Sequence, residues 1–319
     1  MSDYQSDFNP SAYRLEAGGD APAPGQDIRD GSVYVYQEPI TLAVRVALAT
    51  GRPLLLLGAP GSGKSSLAAF VARAMNWNYF EQVVTSRTKA QDLLWSFDVV
   101  RRLRDAQAGE LHEQLEPYVE PRVLWWAFNP SDARLRGAQA LPERVKPARA
   151  PGTLRGDDHP SVVLLDEVDK ADPDVPNDLL VSLGSQRFQV DELGRDVTAA
   201  NRILVFITSN NERSLPAAFV RRCVVHALEQ PSAELLATIA ENHFPGDAVR
   251  ARGLFASIAQ RVVDMRSAAD ADQPPPSTAE YLDSVRACLR FNVAPDESQL
   301  WKAISSAILT KKAQGSGSV

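Results

Sequence analysis

The segment Gly58-Ala59-Pro60-Gly61-Ser62-Gly63-Lys64-Ser65 stands directly after the apolar run Leu54-Leu55-Leu56-Leu57. These residue types at this spacing suit the cradling of phosphate groups. A short buried strand ends, a glycine-rich turn lets backbone N–H groups converge, and an apolar-periodic stretch from Lys64 to about Met75 begins a helix whose positive end faces the anion. In that setting Lys64 reaches the β- and γ-phosphates of a nucleotide, Ser65 ligates Mg2+, and Ser66 belongs to the same binding stretch. A surface loop that merely happened to carry a lysine would need no four-residue apolar lead-in.

Three further segments offer matching chemistry. Val162-Val-Leu-Leu-Asp166-Glu167 is a buried strand ending in paired acids, and the carboxyl ends of strands are where open α/β sheets bind ligands. Asp166 there can join the Mg2+ shell, and Glu167 can activate or orient a water. Ile203-Leu-Val-Phe-Ile-Thr-Ser-Asn210 ends in an amide able to bond both a γ-phosphate and the attacking water, so Asn210 can sense whether the phosphate is present. Arg221 and Arg222 precede the strand-like run Val224–Leu228. A guanidinium there is badly placed for its own subunit's phosphate and well placed for a neighbour's, where it is worth roughly 10³–10⁵ in rate.

Elements that position these residues are legible as apolar runs. Leu54–Leu57, Tyr79–Val84, Val162–Leu165, Ile203–Thr208 and Val224–Leu228 read as five strands separated by helical or mixed segments, the pattern of a parallel sheet covered on both faces. Ile40 to Leu48 places apolar residues on one helical face. After Pro231 the strand signal stops, and four short helices follow, marked by Leu235/Leu236/Ile239, Leu254/Ile258/Val262/Met265, Leu282/Val285/Leu289 and Leu300/Ile304/Ile308. Ser277 and Glu280 form a capping box before the third. The expected organisation is a disordered arm over 1–32, an αβα nucleotide-binding domain over 33–230, a helical lid over 231–312 and a flexible tail over 313–319.

Two insertions carry additional signals. Thr85 to Asp158 is longer than an ordinary connection. Within it, Asp92–Trp95 and Phe97–Leu103 have helical character, and Val123-Leu-Trp125-Trp126-Ala-Phe128 suits packing against the sheet more than gripping a substrate. Arg134, Arg136, Arg144, Lys146, Arg149 and Arg155 accompany the single acid Glu143 between residues 134 and 155. They read either as a solvated flexible loop or as a surface meeting an acidic protein or nucleic acid. Gln186 to Val197 alternates around Gly194 as a hairpin.

Composition narrows the function classes. At 319 residues, two domains are expected. A net charge of −6 argues against broad binding to a phosphate backbone. No apolar run is long enough for a membrane span and no signal peptide is visible, so a cytoplasmic location is expected. Cys223 and Cys288 each sit in an apolar pattern and read as buried free thiols.

The order GAPGSGKS, VVLLDE, ITSN and RRC followed by a helical lid resembles the AAA+ ATPases, over roughly residues 34 to 310. Ala47-Leu-Ala-Thr-Gly-Arg-Pro-Leu-Leu, Ala171-Asp-Pro-Asp-Val-Pro-Asn-Asp-Leu-Leu and Pro276-Ser-Thr-Ala-Glu-Tyr-Leu are similar to the MoxR-type branch. The resemblance implies an AAA+ P-loop core with a five-stranded parallel sheet and a small all-α lid, hydrolysing ATP with Mg2+. It also implies a homo-oligomeric ring, usually a hexamer, in which Lys64, Ser65, Asp166, Glu167 and Asn210 serve one site and Arg222, or Arg221, reaches it from the adjoining subunit. Adenine is expected near Tyr34–Gln37, and the partner expected from the branch is a protein with a von Willebrand factor A domain. The family's lid arginine has no counterpart at Pro276–Glu280, which leaves the lid sensor unassigned. Two other readings stay open: an ATP-dependent signalling or defence switch with slow hydrolysis, and a nucleic-acid-associated motor similar to McrB-type proteins, supported only by the basic loop. A small-molecule kinase is disfavoured by the acid pair and the double arginine.

Overall fold

Apolar side chains buried on both faces of a strand leave it no solvent edge, and that requirement organises this chain. The computed structural model describes residues 8–10, 31–269, 275–295 and 298–310. The proposed tail and most of the proposed N-terminal arm lie outside the described residues. Two compact units result, one of residues 8–10, 37–57 and 65–227, the other of residues 31–36, 58–64 and those from 228 onward.

The first unit is built on strands β1 (Leu54–Leu57), β2 (Asn78–Val83), β5 (Ser161–Asp166), β8 (Ile203–Ser209) and β9 (Val224–Ala227). They pair in the order β2-β5-β8-β1-β9, all parallel, as the five apolar runs predict. β5 is buried along its whole length and β8 at all but its first residue, because both are interior strands covered on each face. Flanking helices are α1 (Glu38–Thr50), α2 (Lys64–Ala74), α6 (Asp174–Ser185) and the single turn α7 (Ala217–Val220). α1 stops at Gly51, whose φ of 66° is left-handed and whose N–H closes on the Ala47 carbonyl. Phe8, from the proposed arm, is buried against Phe70 of α2, ring centroids 6.3 Å apart, and its carbonyl accepts from Arg45.

The long insertion is structured. It contains a two-stranded antiparallel pair, β3 (Trp95–Phe97) and β4 (Val119–Pro121), enclosing α3 (Val99–Ala108), then α4 (Val123–Phe128) and α5 (Pro130–Arg134). Trp95 to Phe97 is thus extended, and the helix begins two residues after Phe97. Every residue of α4 is buried, so both tryptophans pack into the core and neither forms an exposed grip. Trp125 donates to Asp132 at 2.8 Å, and Asp132 also receives Arg195 at 2.9 Å. Arg195 opens β7 (Arg195–Thr198), which pairs antiparallel with β6 (Arg187–Val190) as the expected hairpin, Gly194 turning at φ 60°. Phe188 of β6 stacks on Trp95, centroids 5.7 Å apart, which fixes hairpin and insertion together.

The run of cations after α5 is not a single surface. Arg134 pairs with Asp157 at 2.6 Å, and Arg136, only 6% exposed, pairs with Glu120 at 2.7 Å and donates to the Val119 carbonyl. Arg144, Lys146, Arg149 and Arg155 are exposed. The segment is pinned at both ends: Ala148 N–H bonds the Arg134 carbonyl, and Thr153 exchanges two backbone bonds with Tyr79. Asn78, fully buried at the start of β2, does the rest. Its amide nitrogen donates to the carbonyls of Gly156 and His159, and its oxygen accepts from the N–H groups of Arg155 and Gly156, at 2.7–3.3 Å. One side chain thereby satisfies four backbone groups of the turn that feeds β5.

In the second unit, α8 (Ala233–His243), α9 (Arg252–Ser267), α10 (Thr278–Phe291) and α11 (Gln299–Ile308) pack around Leu236, Phe255, Ile258, Val262, Tyr281, Val285 and Trp301. Both bonds of the Ser277/Glu280 capping box form. Cys223 lies in the first core and Cys288 in the second, both free, and burial pushes their thiols up to about 12 and about 11. No helix of the described residues is long and apolar enough to cross a membrane.

The four bonds of Asn78 make a stability prediction. Asn78→Ala strands buried N–H and carbonyl groups and should cost about 2–3 kcal/mol, read as a lowered unfolding midpoint in urea with an unchanged slope. An unchanged midpoint would mean that the turn into β5 is held by other contacts.

Candidate functional site

Parallel pairing brings the ends of β5 and β8 side by side, and each ends in a polar residue. Asp166 closes β5, 8% exposed, and Ser65, at the start of α2, donates its hydroxyl to both carboxylate oxygens at 3.0 and 2.9 Å. Thr208, in β8 and fully buried, gives a second hydroxyl to Asp166, and its Oγ1 accepts from the Glu167 N–H at 2.9 Å. A buried carboxylate needs such partners, since leaving one unsatisfied costs more than the bonds return.

Glu167 follows with φ 61° and ψ 45°, the left-handed region that few side-chain-bearing residues adopt. This turn directs the carboxylate to Lys170 Nζ at 2.7 Å from Oε2 and to Asn210 Nδ2 at 3.3 Å from Oε1. The bond to Glu167 above all, with the carboxylates of Glu212 and Asp169, holds the Lys170 ammonium above the ordinary lysine range. Asp169 is 3% exposed and accepts from the Glu212 N–H at 2.9 Å. The first unit therefore gathers Ser65, Asp166, Glu167 and Asn210. Thr208, Lys170 and Asp169 join them without having been singled out in the sequence. Thr208 had a signal, a hydroxyl in an otherwise apolar strand; Lys170 had only its spacing of three from Glu167.

The loop Gly58–Lys64 belongs to the second unit. Lys64, 6% exposed, donates its ammonium to the carbonyls of Gly58 and Ala59 at 2.7 and 2.9 Å, so the loop closes on its own lysine. Pro60, between Ala59 and Gly61, is exposed in the turn. Gly61 takes φ 76°, and a Cβ there would come within 2.7 Å of Ser277 Cβ and 2.9 Å of the Thr278 nitrogen, so only glycine lets the start of α10 lie against the loop. At Gly63, φ 91°, a Cβ would stand 3.3 Å from the Tyr34 ring. Burial pushes the Tyr34 phenol up. Ser62 is 8% exposed and its hydroxyl has no protein partner. Ser66 is half-buried on α2.

Arg221 and Arg222 are exposed and lie between α7 and β9. Because β9 runs parallel to β1 and β8, the arginines stand at the amino ends of the strands, whereas Asp166, Glu167 and Asn210 stand at the carboxyl ends. Three strand spacings and five residues of rise separate Arg222 from Glu167, roughly 20 Å. The structure does not bring the arginines to the acids of their own chain.

The donor set suits Mg2+. A serine hydroxyl and a carboxylate within 3 Å of each other are hard oxygen ligands, and Mg2+ characteristically takes one or two such groups with water and nucleotide phosphates completing the shell. Among the described residues no group of three or more His, Cys, Asp or Glu is arranged to hold a metal.

Comparison with known proteins bears on this arrangement. No curated protein matches the chain. Among solved structures it is similar to a mutant RuvB of Thermotoga maritima, at 15% identity, covering 86% of this chain and 70% of that one with a TM-score of 0.45. The family profile described as AAA domain (dynein-related subfamily) matches residues 53–223, which is more than half of the 319 and includes the glycine-rich loop, both acids, Asn210 and both arginines. The chain belongs to the AAA domain family, dynein-related subfamily.

Proposed function

We propose that this chain is an ATP-hydrolysing ring ATPase of the MoxR-like branch, which remodels or activates a partner protein. The reading is carried by the bond network at the carboxyl ends of β5 and β8, where Ser65, Asp166, Thr208, Glu167 and Asn210 are joined within 3.3 Å of one another in sequence of contact. Family membership supports nucleotide use in general.

In this mechanism Lys64, next in the chain to Ser65, exchanges its loop carbonyls for phosphate oxygens. Ser65 and Asp166 would hold Mg2+, which would supply neutralisation of phosphate charge when bound with ATP. Thr208 keeps the Asp166 carboxylate in one orientation. Glu167 takes a proton from, or aligns, the attacking water, and Asn210, already bonded to Glu167, steadies that water against the γ-phosphate. Glu167 can do this only after Oε2 leaves Lys170. Arg222, with Arg221 as its alternate, completes the site of a neighbouring subunit, since neither arginine is near the acids of its own chain. Binding and assembly are then linked free energies. The partner expected for this branch carries a von Willebrand factor A domain, and the ring is a hexamer.

One observation favours a second reading. The Lys170–Glu167 pair occupies the proposed base, as suits a switch whose hydrolysis is slow and whose ATP state sets assembly. The nucleic-acid motor loses ground, because two of the six cations that supported it are committed to Asp157 and Glu120.

ATP turnover measured against protein concentration, with particle mass in the same samples, separates the readings. Turnover per subunit should rise as rings form. Glu167→Gln should lower it about 10²–10⁴-fold while assembly with ATP persists, and Arg222→Ala should lower it by roughly 10³-fold or more. Slow, concentration-independent turnover that is indifferent to Arg222→Ala would leave the switch. Lys64→Ala should abolish binding of a fluorescent ATP analogue; retained binding would remove the phosphate-loop assignment itself.

A further inference from the structure

α3 is an amphipathic helix set the wrong way round. On a helix of 3.6 residues per turn, Val99, Val100, Leu103 and Ala106 fall within about a third of the circumference, with Gln107 the one polar residue among them, and this stripe faces solvent: Val99 is 64% exposed, Val100 78% and Leu103 59%. Leu111, just beyond the helix, is 47% exposed. The inward side is polar. Arg101 donates to the Pro117 carbonyl at 3.1 Å, lies over the Tyr118 ring at 5.8 Å and pairs with Asp105. No residue of α3 is buried. A surface helix ordinarily turns its apolar stripe to the core, so an ordered helix anchored by its polar side is presenting that stripe.

Charge borders the stripe. Arg102 and Arg104 flank it on either side, both exposed, in a chain whose net charge is −6. Of the helix's own acids, Asp98 accepts from the Arg101 N–H as N-cap, and Asp105, mostly covered, lies 3.8 Å from Arg101 and 4.0 Å from Arg104, whose side chain stays largely exposed. Two copies docking stripe to stripe would bring four arginines together. A lipid surface is poorly served by so short a stripe without aromatic residues, with two cations worth about 1 kcal/mol each at an anionic membrane. A protein segment with an apolar row bordered by carboxylates meets both features at once.

We propose that the outward face of α3 is a docking surface for an amphipathic helical segment of a partner protein, with apolar side chains at i, i+3, i+4 and i+7 and acidic residues alongside. This inference stands on the surface of α3 and holds whether or not the chain hydrolyses ATP.

The test is selection from a displayed library of random helical peptides on the full chain, run in parallel on Leu103→Asp and on Arg102→Glu/Arg104→Glu. Equal unfolding midpoints and equal ATP-analogue binding establish that the variants are folded. Peptides with an acid-bordered apolar row should be enriched on the wild-type chain. They should bind Leu103→Asp roughly ten- to hundred-fold more weakly, the effect of losing one buried leucine, and the charge-reversed variant should prefer basic borders. Enrichment of nothing that depends on Leu103, or of sequences indifferent to the arginine reversal, overturns the proposal. Loss of self-association in Leu103→Asp would assign the face to a second copy instead, and Leu103-dependent binding to phosphatidylserine vesicles without peptide selection would assign it to a membrane; either result also overturns it.

Discussion

The buried carboxylate of Asp166 is the constraint on which the site depends. A charge taken from water must be given donors, and here they are hydroxyls from two separate segments, Ser65 at the head of α2 and Thr208 in β8. Those bonds fix where α2 begins relative to β5 and β8. Thr208 then serves twice, since the oxygen that donates to Asp166 also receives the Glu167 N–H. The backbone after Asp166 is thereby turned into the left-handed region, and Glu167 is aimed along the sheet edge toward Asn210 and Lys170. Such a conformation costs of order 1–3 kcal/mol and persists only where its surroundings over-determine it. Three separate bonds to Glu167 meet that requirement.

Sheet direction supplies the second constraint. Parallel strands gather every carboxyl end on one edge, so a residue preceding β9 is carried to the far edge however close it lies to the site in sequence. Arg221 and Arg222 are held there by the one-turn α7 and by Cys223, which is buried while they are exposed. In the proposed mechanism a guanidinium so fixed would complete a phosphate site only on another molecule, and dependence of turnover on concentration would follow from strand order.

Much of this was legible in the sequence, for identifiable reasons. The five sheet strands are apolar on both faces, so their runs stand out without any periodicity argument, and their edges fall within a residue or so of the apolar boundaries. Asp166, Glu167 and Asn210 were legible because each lies at or next to the end of such a run, and Ser65 because it stands at the head of the helix that follows the glycine-rich loop. β3 and β4 were not: three residues are too few to show alternation, and Trp95–Phe97 reads equally as the start of a helix. Nor was the division of the cations after α5. Charge type is visible in a sequence, but the partners that turn Arg134 and Arg136 inward, Asp157 and Glu120, are brought near only by the fold. Asn78 left no trace at all, one polar residue whose four bonds depend on a turn almost eighty positions later.

The inward and outward sides of this insertion answer to different pressures. Trp125, Trp126, Phe128 and Phe188 are enclosed, and the Asp132 carboxylate, bonded by Trp125 and Arg195, ties α4, α5 and the β6–β7 hairpin into one body. Stability alone would favour extending that enclosure over α3, whose valines and leucine would each add to the buried apolar surface. The chain instead spends Arg101 and Asp105 on the inward side and leaves the apolar side in water. An arrangement that forgoes burial available within the same insertion is intelligible when the missing surface comes from outside the chain. The basic border of Arg102 and Arg104 then acts on specificity: carboxylates facing it gain, and lysines facing it are repelled, so the same helix that attracts one class of segment excludes its charge-inverted counterpart.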